Sequence, residues 1–519
     1  MPRKKITLPA PNLMDRLVNY FAPVHGLARM QARGKQAAIR GNLQSFGATR
    51  DGKGKVTRNA VGGEEDEHLD QRTLWELREI CYDLDRNNGL SGSVIDQATV
   101  NAIGPWGFAH YARTSSPELN ARVERGWATW LAKECDPAGQ DHGWERLKRS
   151  YRSTKIAGDE HWQTDDYDRL SPPVFRIIEA PRILTPYERN TSASRRLSKV
   201  DGREMIHGIS RNRDGRPQNV FVANRIPLND VVAIDDGQFL PGDSIISLIR
   251  RRRESSTRGV PVMTPVIREF DDLADLMTSE RLALRLAAAL GIFIETDDDP
   301  TSLANHMSEL YGETEDGEQL ETLDPMSINY MKKGQKASML QAQRPASEVQ
   351  AFMRTIMRYV GLPLGLPYEL FFLDFSQSTL GTLRVALNTA QRRFRDEQFW
   401  FSTKLDRLYE WWIEVMVSRG RYPRRDDIFD HEWGLPGWPS PQPLQDANAA
   451  AVGIENRFSS RTIASRNLGE DWETVRQDLE REDAAILEHA KRNGLNVATD
   501  PGKQLPPGNQ QKGASQYAA

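Results

Sequence analysis

Residues 374–379 read DFSQST, and residues 380–415 continue as LGTLRVALNTAQRRFRDEQFWFSTKLDRLYEWWIEV. From Leu380 to Val415 the apolar side chains recur at alternating steps of four and three, with one step of seven. This period puts them on one face of a helix of about ten turns, on the order of 50 Å long. The apolar stripe is interrupted at Asp396-Glu397-Gln398, which predicts a bend or a change of packing partner. A polar segment leading into so long a helix is more typical of a protein that spans an assembly than of one that lines a small-molecule pocket.

The bulk composition is polar for a globular protein. The chain has 519 residues, enough for about three domains, with 38% hydrophobic residues and a mean hydropathy of -0.62. The formal net charge of -3 gives no strong nucleic-acid signal. The charge is segregated, however: residues 1–60 are strongly basic, whereas residues 295–324 contain acidic residues and no Lys or Arg. Such segregation indicates that different surfaces meet different partners.

The two cysteines, Cys81 and Cys135, are too few for a disulfide framework, so the chain is expected to be made in the cytosol. The first residues lack the apolar stretch of a secretory signal, and the apolar run Leu286–Ile294 is too short to cross a bilayer.

The periodicity predicts helices separated by a β-rich middle part. Helices are expected near residues 13–21, 69–103 with a stop at Asn87-Asn88-Gly89, 118–133, from 265 onward, 349–360, 446–456 and 471–490. Candidate strands are residues 175–179, 206–209, 220–222 and 230–234, with a hairpin turn at Asp214-Gly215-Arg216-Pro217.

Six short motifs stand in order along residues 70–490. They are Leu84-Asp85-Arg86-Asn87-Asn88; Trp127-Ala128-Thr129-Trp130 with Cys135-Asp136; Ile178-Glu179; Gly208-Ile209 with the 214–217 turn; Arg258-Gly259-Val260-Pro261; and Asp374-Phe375-Ser376-Gln377 with Thr382 and Arg384. Their joint order and spacing resemble those of the portal proteins of tailed bacteriophages, in the lambda-like branch. Two departures mark a diverged member. Pro241-Gly242 lies well upstream of the Arg-Gly turn, and Thr379-Leu380-Gly381-Thr382 replaces an Asn-Tyr-Ser-Ser element.

The resemblance implies a mainly helical α+β protein with the portal fold. Its expected parts are a basic, partly mobile N-terminal arm (1–65); a wing (66–262) with a β-rich part (174–234); a stem helix (263–292); a clip (293–344); a second stem helix (345–360); a tunnel loop (361–381); a long kinked helix and return (382–433); a crown (434–492); and a disordered tail (493–519).

The function implied by the resemblance is a ring, usually of twelve subunits, at one vertex of the capsid of the virion. Double-stranded DNA would pass through it, without sequence preference, during packaging and ejection and be retained between them. The expected partners are the terminase motor, then the head-tail adaptor, and the capsid and scaffold proteins, with no membrane. The chain would be made in the host cytoplasm.

The acidic residues of the expected clip allow two interpretations. They include Asp297, Asp298, Asp299, Glu313, Glu315 and Asp316. They could form an acidic collar that repels phosphates or docks basic partners, or they could belong to a solvated acidic loop. A metal site at Asp297-Asp298-Asp299 is disfavoured, because no histidine at ligand spacing accompanies these residues.

Two basic groups are candidates for contact with DNA or with a neighbouring subunit. One is the run Arg250, Arg251, Arg252 and Arg253; the other comprises Lys332, Lys333 and Lys336. A solubilising loop and plain surface lysines are the respective alternatives. Arg384 is expected to pair with Asp374 or with a neighbouring subunit.

The expected tunnel loop contains residues suited to narrowing a channel without reading bases. They are Gly361, Pro363, Gly365, Pro367, Phe371, Phe372, Asp374, Ser376 and Gln377. Its glycines would allow movement, and Asp374, Ser376 and Thr382 are expected to cap the following helix. The alternative is an ordinary helix connection with buried aromatic residues.

The tryptophans near the long helix, namely Trp400, Trp411, Trp412, Trp433 and Trp438, fit either a core or a subunit interface. The sequence shows no P-loop, zinc spacing, nucleophile elbow or dinucleotide fingerprint, so we predict no enzyme, no cofactor and no metal. The pair His161-Trp162 near Asp165-Asp166 is a weak hydrolytic candidate. The remaining alternatives are another capsid or tail connector without a DNA path, and a metal-dependent DNA-processing enzyme.

Overall fold

The computed structural model describes residues 66, 69–166, 171–188, 195–196, 199–288, 293–295, 329–331, 346–376 and 378–492. The helices of this part are α1 (Gln71–Asn87), α2 (Gly89–Ile103), α3 (Pro117–Lys133), α4 (Gly143–Ala157), α5 (Ile267–Ala288), α6 (Ala346–Gly361), α7 (Tyr368–Phe372), α8 (Leu380–Ser418), α9 (Pro443–Glu455), α10 (Arg461–Leu468) and α11 (Trp472–Arg492). The mainly helical class is confirmed.

The strands of the described residues are short. They are β1 (Ala109–Ala112), β2 (Asp159–Asp165), β3 (Val174–Ile178), β4 (Tyr187–Glu188), β5 (Arg195–Arg196), β6 (Lys199–Val200), β7 (Arg203–Ile206), β8 (Ile209–Arg211), β9 (Pro217–Ala223), β10 (Gly237–Pro241), β11 (Ile245–Ile249), β12 (Phe293–Glu295), β13 (Asn329–Met331) and β14 (His431–Gly434). Strands of the described residues therefore also lie before residue 174 and after residue 234.

The chain divides into two compact units. The first comprises residues within 1–97, 152–161 and 178–390, and the second residues within 98–151, 162–177 and 391–519. Among the described helices, none combines the length and hydrophobicity needed to cross a bilayer.

The predicted helix stop at Asn87-Asn88-Gly89 is confirmed. Asn88 leaves the helical conformation after α1, with φ at -114°. Its side-chain oxygen then accepts hydrogen bonds from the backbone N–H groups of Leu90 (3.1 Å) and Ser91 (3.2 Å). One asparagine therefore ends α1 and caps α2, because a short polar side chain can satisfy the free N–H groups of the next helix.

The largest sheet lies in the first unit and has the order β10-β9-β8-β7-β6. Its strands pair antiparallel, and Ile178, Ile183, Ile209, Val220 and Val222 belong to a buried cluster with Ile245. The predicted β8–β9 turn is confirmed: Gly215 has a φ of 80°, and the Asn212 N–H donates to the Arg216 carbonyl over 2.9 Å.

Two of the predicted strands are wrong. Residues 206–209 form the tight turn between β7 and β8, where His207 and Gly208 have φ values of 50° and 82°. Both central residues of a two-residue hairpin turn of this kind need positive φ, and the hydrophobic pattern alone does not reveal it. Residues 230–234 contain no strand; Tyr187 bridges Ala233 there in isolation.

The second unit has an aromatic core built on α3 and the later part of α8. Trp127 and Trp412 are buried with their ring centroids 5.3 Å apart, and Tyr409 packs on both. The core interpretation therefore holds for Trp412. The other tryptophans of the group are half-buried; among them, Trp438 donates to the Asn101 carbonyl over 3.1 Å.

The interruption of the α8 stripe lies within a continuous helix. Glu397 and Gln398 are buried. Glu397 accepts a hydrogen bond from the Tyr151 hydroxyl (3.2 Å) and pairs with Arg393 (3.0 Å), whereas Gln398 donates to the Pro436 carbonyl (3.0 Å). The polar residues thus occupy core positions, and they are satisfied there by polar partners.

The helices α5 and α6 lie at the positions expected for the two stem helices, and they pack against each other. Between them the structure describes only β12 and β13, which pair parallel. The rest of the expected clip lies outside the described residues, as do the N-terminal arm and the C-terminal tail. The same holds for all six acidic candidates, for Lys332, Lys333 and Lys336, and for Gln377.

Candidate functional site

The segment between α6 and α8 begins with a tight, packed turn. Gly361 ends α6, and its carbonyl accepts the Leu366 N–H over 3.0 Å. A Cβ added to Gly361 would lie 2.3 Å from the Leu366 carbonyl oxygen, and Gly365 has a φ of 68°. Both glycines are therefore required by the turn geometry, in which Pro363 occupies a 3-10 turn (Leu362–Leu364).

The next part of the segment is a short helix, α7, where a plain loop had been expected. Tyr368 and Phe371 on α7 are buried. The Tyr368 hydroxyl donates to Asp374 Oδ2 over 3.0 Å, while Asp374 Oδ1 accepts from the N–H (3.1 Å) and hydroxyl (2.6 Å) of Ser376. These hydrogen bonds, with those from Ser376 foremost, lower the pKa of the Asp374 carboxyl. Asp374 therefore fastens the backbone that follows α7.

Beyond this fastening the segment exposes large apolar side chains. Phe372, Leu373 and Phe375 are 45%, 64% and 46% exposed, and Leu380 at the start of α8 is also exposed. Leu373 has a left-handed backbone, with φ at 56°. We call residues 372–380 the apolar strip. Of the two phenylalanines predicted for this segment, Phe371 is core and Phe372 is surface.

The cap of α8 differs from the prediction. The Thr379 hydroxyl accepts the Thr382 N–H (3.3 Å), and the Thr382 hydroxyl accepts the Thr379 N–H (3.0 Å). This reciprocal arrangement is that of a capping box, with threonine in the place of the usual Glu or Gln. Thr382 is thus confirmed as a capping residue, whereas Asp374 and Ser376 stabilise the preceding turn instead.

The basic candidates lie in two places. Arg250 follows β11 and is half-buried, while Arg251, Arg252 and Arg253 are exposed. Arg253 begins a turn that is closed by a hydrogen bond from the Ser256 N–H to the Arg253 carbonyl (3.1 Å). Arg384 is half-buried in the second turn of α8. The described residues therefore leave three of these arginines accessible to a partner.

A buried ion cluster explains the Arg258-Gly259 motif. Arg258 Nε and Nη2 donate to the two carboxylate oxygens of Asp159 over 2.7 and 2.9 Å, and Arg78 Nη2 donates to the same carboxylate over 2.9 Å. The remaining donors of Arg258 reach the carbonyls of Ile183, His207 and Ala180. All five N–H donors of this guanidinium are thereby satisfied.

The opposite charges in this cluster stabilise the ionised form of Asp159. Burial alone would raise the pKa of Asp159, but the charges of Arg258 and Arg78 outweigh burial and hold this pKa well below its usual range. Burial lowers the pKa of Arg78 to about 10, so Arg78 stays charged at neutral pH. The cluster joins α1, β2, the segment after β3 and the Arg-Gly motif, and its geometry is that of a structural anchor rather than of a ligand site.

The glycine of the motif has its own steric reason. A Cβ on Gly259 would lie 1.9 Å from the carbonyl oxygen of Gly158, which itself has a φ of 89°. The Gly259 N–H donates to Asp159 over 2.9 Å. Two chain segments can approach this closely only where both lack a side chain.

The weak hydrolytic candidate is a core histidine. His161 is buried, its Nδ1 lies 2.9 Å from the Ser247 hydroxyl, and burial lowers its pKa. Asp165 and Asp166 instead pair with Arg176 and Arg419. Among the described residues, no group of three or more His, Cys, Asp or Glu side chains is arranged to hold a metal ion.

The chain is similar to a curated protein and to chains of two solved structures, as follows. The chain is 20% identical to Portal protein B of Escherichia phage lambda, with 81% of this chain and 87% of the relative covered. A chain in the virion of the native gene transfer agent (GTA) particle has a TM-score of 0.45 at 12% identity, covering 76% of this chain and 93% of its own length. A chain in the neck of the native GTA particle, computed with C12 symmetry, has a TM-score of 0.45 at 12% identity, with 79% and 96% covered.

The family model described as phage portal protein, lambda family, matches residues 53–398. This range includes the anchor cluster, α5, α6, the apolar strip and the first half of α8. Since the match spans more than half of the sequence, the chain belongs to the lambda family of phage portal proteins.

Proposed function

We propose that copies of this portal protein form a ring, of twelve subunits, through which double-stranded DNA passes at one capsid vertex. The observation that carries the proposal is the apolar strip between α6 and α8, fastened at one end by Asp374 and at the other by the Thr379–Thr382 cap. Family membership makes the chain a structural part of a phage virion and not an enzyme.

The chemistry of the apolar strip suits the passage of a polyanion. Residues 372–380 contain no Lys or Arg and only one acidic residue, Asp374. Non-specific DNA affinity comes almost entirely from cationic side chains that displace counterions from phosphates. A ring of such strips would therefore narrow a bore around the duplex without gripping its backbone or reading its bases.

The remaining parts of the proposal concern partners. We assign the work of DNA movement to a terminase motor that docks on the ring, and the later closure of the vertex to a head-tail adaptor. The acidic residues around 297–316 would form the collar for these partners, since acidic surfaces attract basic ones and repel phosphates. Capsid and scaffold proteins would hold the ring in the shell.

A triple substitution of the strip tests the channel assignment. Phe372→Ser, Leu373→Ser and Phe375→Ser together should leave the ring intact, because these side chains are exposed, although the Phe372 ring also stacks on Tyr368 with centroids 5.2 Å apart. We expect in vitro packaging of DNA, or its retention after packaging, to fall. The measurement is nuclease-protected DNA per particle, beside negative-stain images of the rings.

The matched control replaces two exposed apolar residues of the β-rich part, Ile226→Ser and Leu228→Ser. These changes remove similar surface from a place that the proposal does not put in the bore. Unchanged packaging and retention by the triple variant would overturn the channel assignment, as would an equal defect in the control.

A further inference from the structure

His431 on β14 lies in a half-buried polar cluster, and both of its ring nitrogens face hydrogen-bond acceptors. Its Nδ1 lies 2.8 Å from the Phe429 carbonyl oxygen, and its Nε2 lies 3.2 Å from Asp406 Oδ1. Both partners are acceptors. A neutral imidazole carries one N–H only, so the imidazolium alone can donate to both.

The surroundings of His431 hold it in this place. Trp433 on the same strand donates to Asp406 Oδ1 over 2.6 Å, and the Tyr409 ring lies 4.4 Å from the His431 ring. The His110 ring on β1 stacks at 5.6 Å. The titratable groups that face His431 are His110 from β1 and Asp406, Tyr409 and Glu410 from α8, with Glu432 next to it on β14.

The two histidines have opposite preferences. Burial opposes the charge on His431, but its hydrogen bonds to Asp406 and to the Phe429 carbonyl outweigh burial and raise its pKa above 6.5. Burial, helped by the neighbouring His431, lowers the pKa of His110 to about 3, and neither ring nitrogen of His110 has a hydrogen-bond partner. At neutral pH His110 is therefore neutral, whereas the surroundings of His431 favour its charged form.

The strand that carries His431 also holds the C-terminal helices. β14 pairs antiparallel with β1, and Glu432 accepts from Arg113 (3.3 Å) and pairs with Arg466 on α10. Arg113 also reaches Asp471, at the start of α11, over 3.2 Å. Contacts that hold β14 on α8 therefore also hold α10 and α11 in place.

We propose that His431 is a proton-operated clasp: its protonated form fastens the β1/β14 ribbon to α8, and loss of the proton loosens the ribbon together with α10 and α11. The deprotonated ring carries one N–H and leaves either the Phe429 carbonyl or Asp406 without its hydrogen bond to the ring. The inference stands apart from the DNA channel, since it concerns only contacts inside one chain.

The direction in which stability changes with pH follows from the pKa shifts of His431 and His110. A raised folded pKa means that His431 contributes its full stabilisation below about pH 6.5 and loses it as the pH rises through the folded pKa. The lowered pKa of His110 means that stability is lost as the pH falls below about 6.5, where the unfolded ring becomes charged. The full-length protein should therefore be most stable near pH 6.5. We call the loss of stability below this pH the acid limb and the loss above it the alkaline limb.

The test is the melting temperature of the full chain between about pH 5 and about pH 8, below the range in which unfolded thiols ionise. We expect His431→Gln to remove the alkaline limb and to leave the acid limb in place. His489→Gln, which changes an exposed histidine on α11, should keep both limbs. Asp406→Asn keeps the side-chain shape but removes the charge, and should shrink the alkaline limb, because it brings the folded pKa of His431 closer to the unfolded value.

Hydrogen exchange supplies a second readout if His431→Gln folds poorly. In the wild-type chain, protection of residues 431–440, corrected for intrinsic exchange rates, should fall between pH 6.5 and 8. In Asp406→Asn this pH-dependent fall should be smaller. An alkaline limb that persists in His431→Gln, or a wild-type chain with no alkaline limb and constant protection, would overturn the clasp.

Discussion

The residue with the largest predicted effect on stability is Arg258. Removing it leaves Asp159 buried with Arg78 as the charged partner that remains among the described residues, and it leaves three backbone carbonyls with fewer donors. We expect Arg258→Met to destabilise the chain by about 3–5 kcal/mol, the range for breaking a buried ion pair. Urea unfolding measures this, and exposed Arg253→Met should stay within about 0.5 kcal/mol of wild type.

The same cluster should make the stability of the chain depend on pH in the acid range. Because the pKa of Asp159 is held well below its usual range, its stabilisation is complete above the unfolded pKa of about 4 and is lost as the pH falls below that value. Arg258→Met should flatten this acid dependence. An Arg258→Met chain as stable as the Arg253→Met control would show that the cluster is dispensable.

Two glycines that look alike in the sequence should respond in opposite ways to alanine. Gly259→Ala places a methyl group against the Gly158 carbonyl, where backbone must move, and should cost about 1–3 kcal/mol. A Cβ added to Gly381, at the start of α8, would have no neighbouring atom within 4 Å. Gly381→Ala should therefore be neutral or stabilise the chain by up to about 1 kcal/mol. Thermal melting of both variants checks the contrast, which a similar shift in the two would contradict.

At the scale of elements, the start of α8 depends on two threonines. Thr379→Val removes the hydroxyl that accepts the Thr382 N–H, and should cost about 1 kcal/mol. The loss should appear as faster hydrogen exchange in the first turn of α8. Thr389→Val, an exposed position in the same helix whose hydroxyl bonds only to the Val385 carbonyl, is the control. Equal exchange in the two variants would argue against the cap.

The long helix was predictable from the sequence because its signal is periodic over many turns. The apolar stripe predicts α8 from Leu380 to beyond Val415, and the structure ends it at Ser418. The helix α4 was missed for the opposite reason. Its buried face includes Arg146, Ser150 and Thr154, spaced by four, and a hydrophobicity pattern assigns such residues to solvent.

The candidate site was predictable only in part. The sequence places Asp374, Ser376 and the exposed apolar residues between two helices, but it does not tell which of the adjacent residues Phe371 and Phe372 is buried. The partner of Arg258 could not be found from the sequence, because Asp159 lies 99 residues away and only the fold brings them together. The signal that was available is the Arg258-Gly259 motif itself.

At the scale of the whole molecule, the C-terminal helices carry apolar surface that one chain does not cover. Leu444 and Val452 on α9, Leu468 on α10, and Leu479 and Ile486 on α11 are all exposed. Scattered apolar residues are normal on a surface, but Leu479 and Ile486 are seven residues apart and share one helix face. In the proposed ring this face would be covered by a neighbouring copy.

Charges on that face should therefore prevent assembly without unfolding the chain. We expect Leu479→Glu with Ile486→Glu to shift the protein from rings of about twelve times 58.8 kDa to single chains, as measured by mass photometry and negative-stain imaging. The monomer should keep its melting temperature, since neither side chain is buried in one chain. Gln477→Glu with Ala484→Glu is the control, because these positions are also seven apart but lie on the opposite face of α11. Rings that form normally with glutamate at 479 and 486, or that fail equally in the control, would exclude this face from the subunit contact.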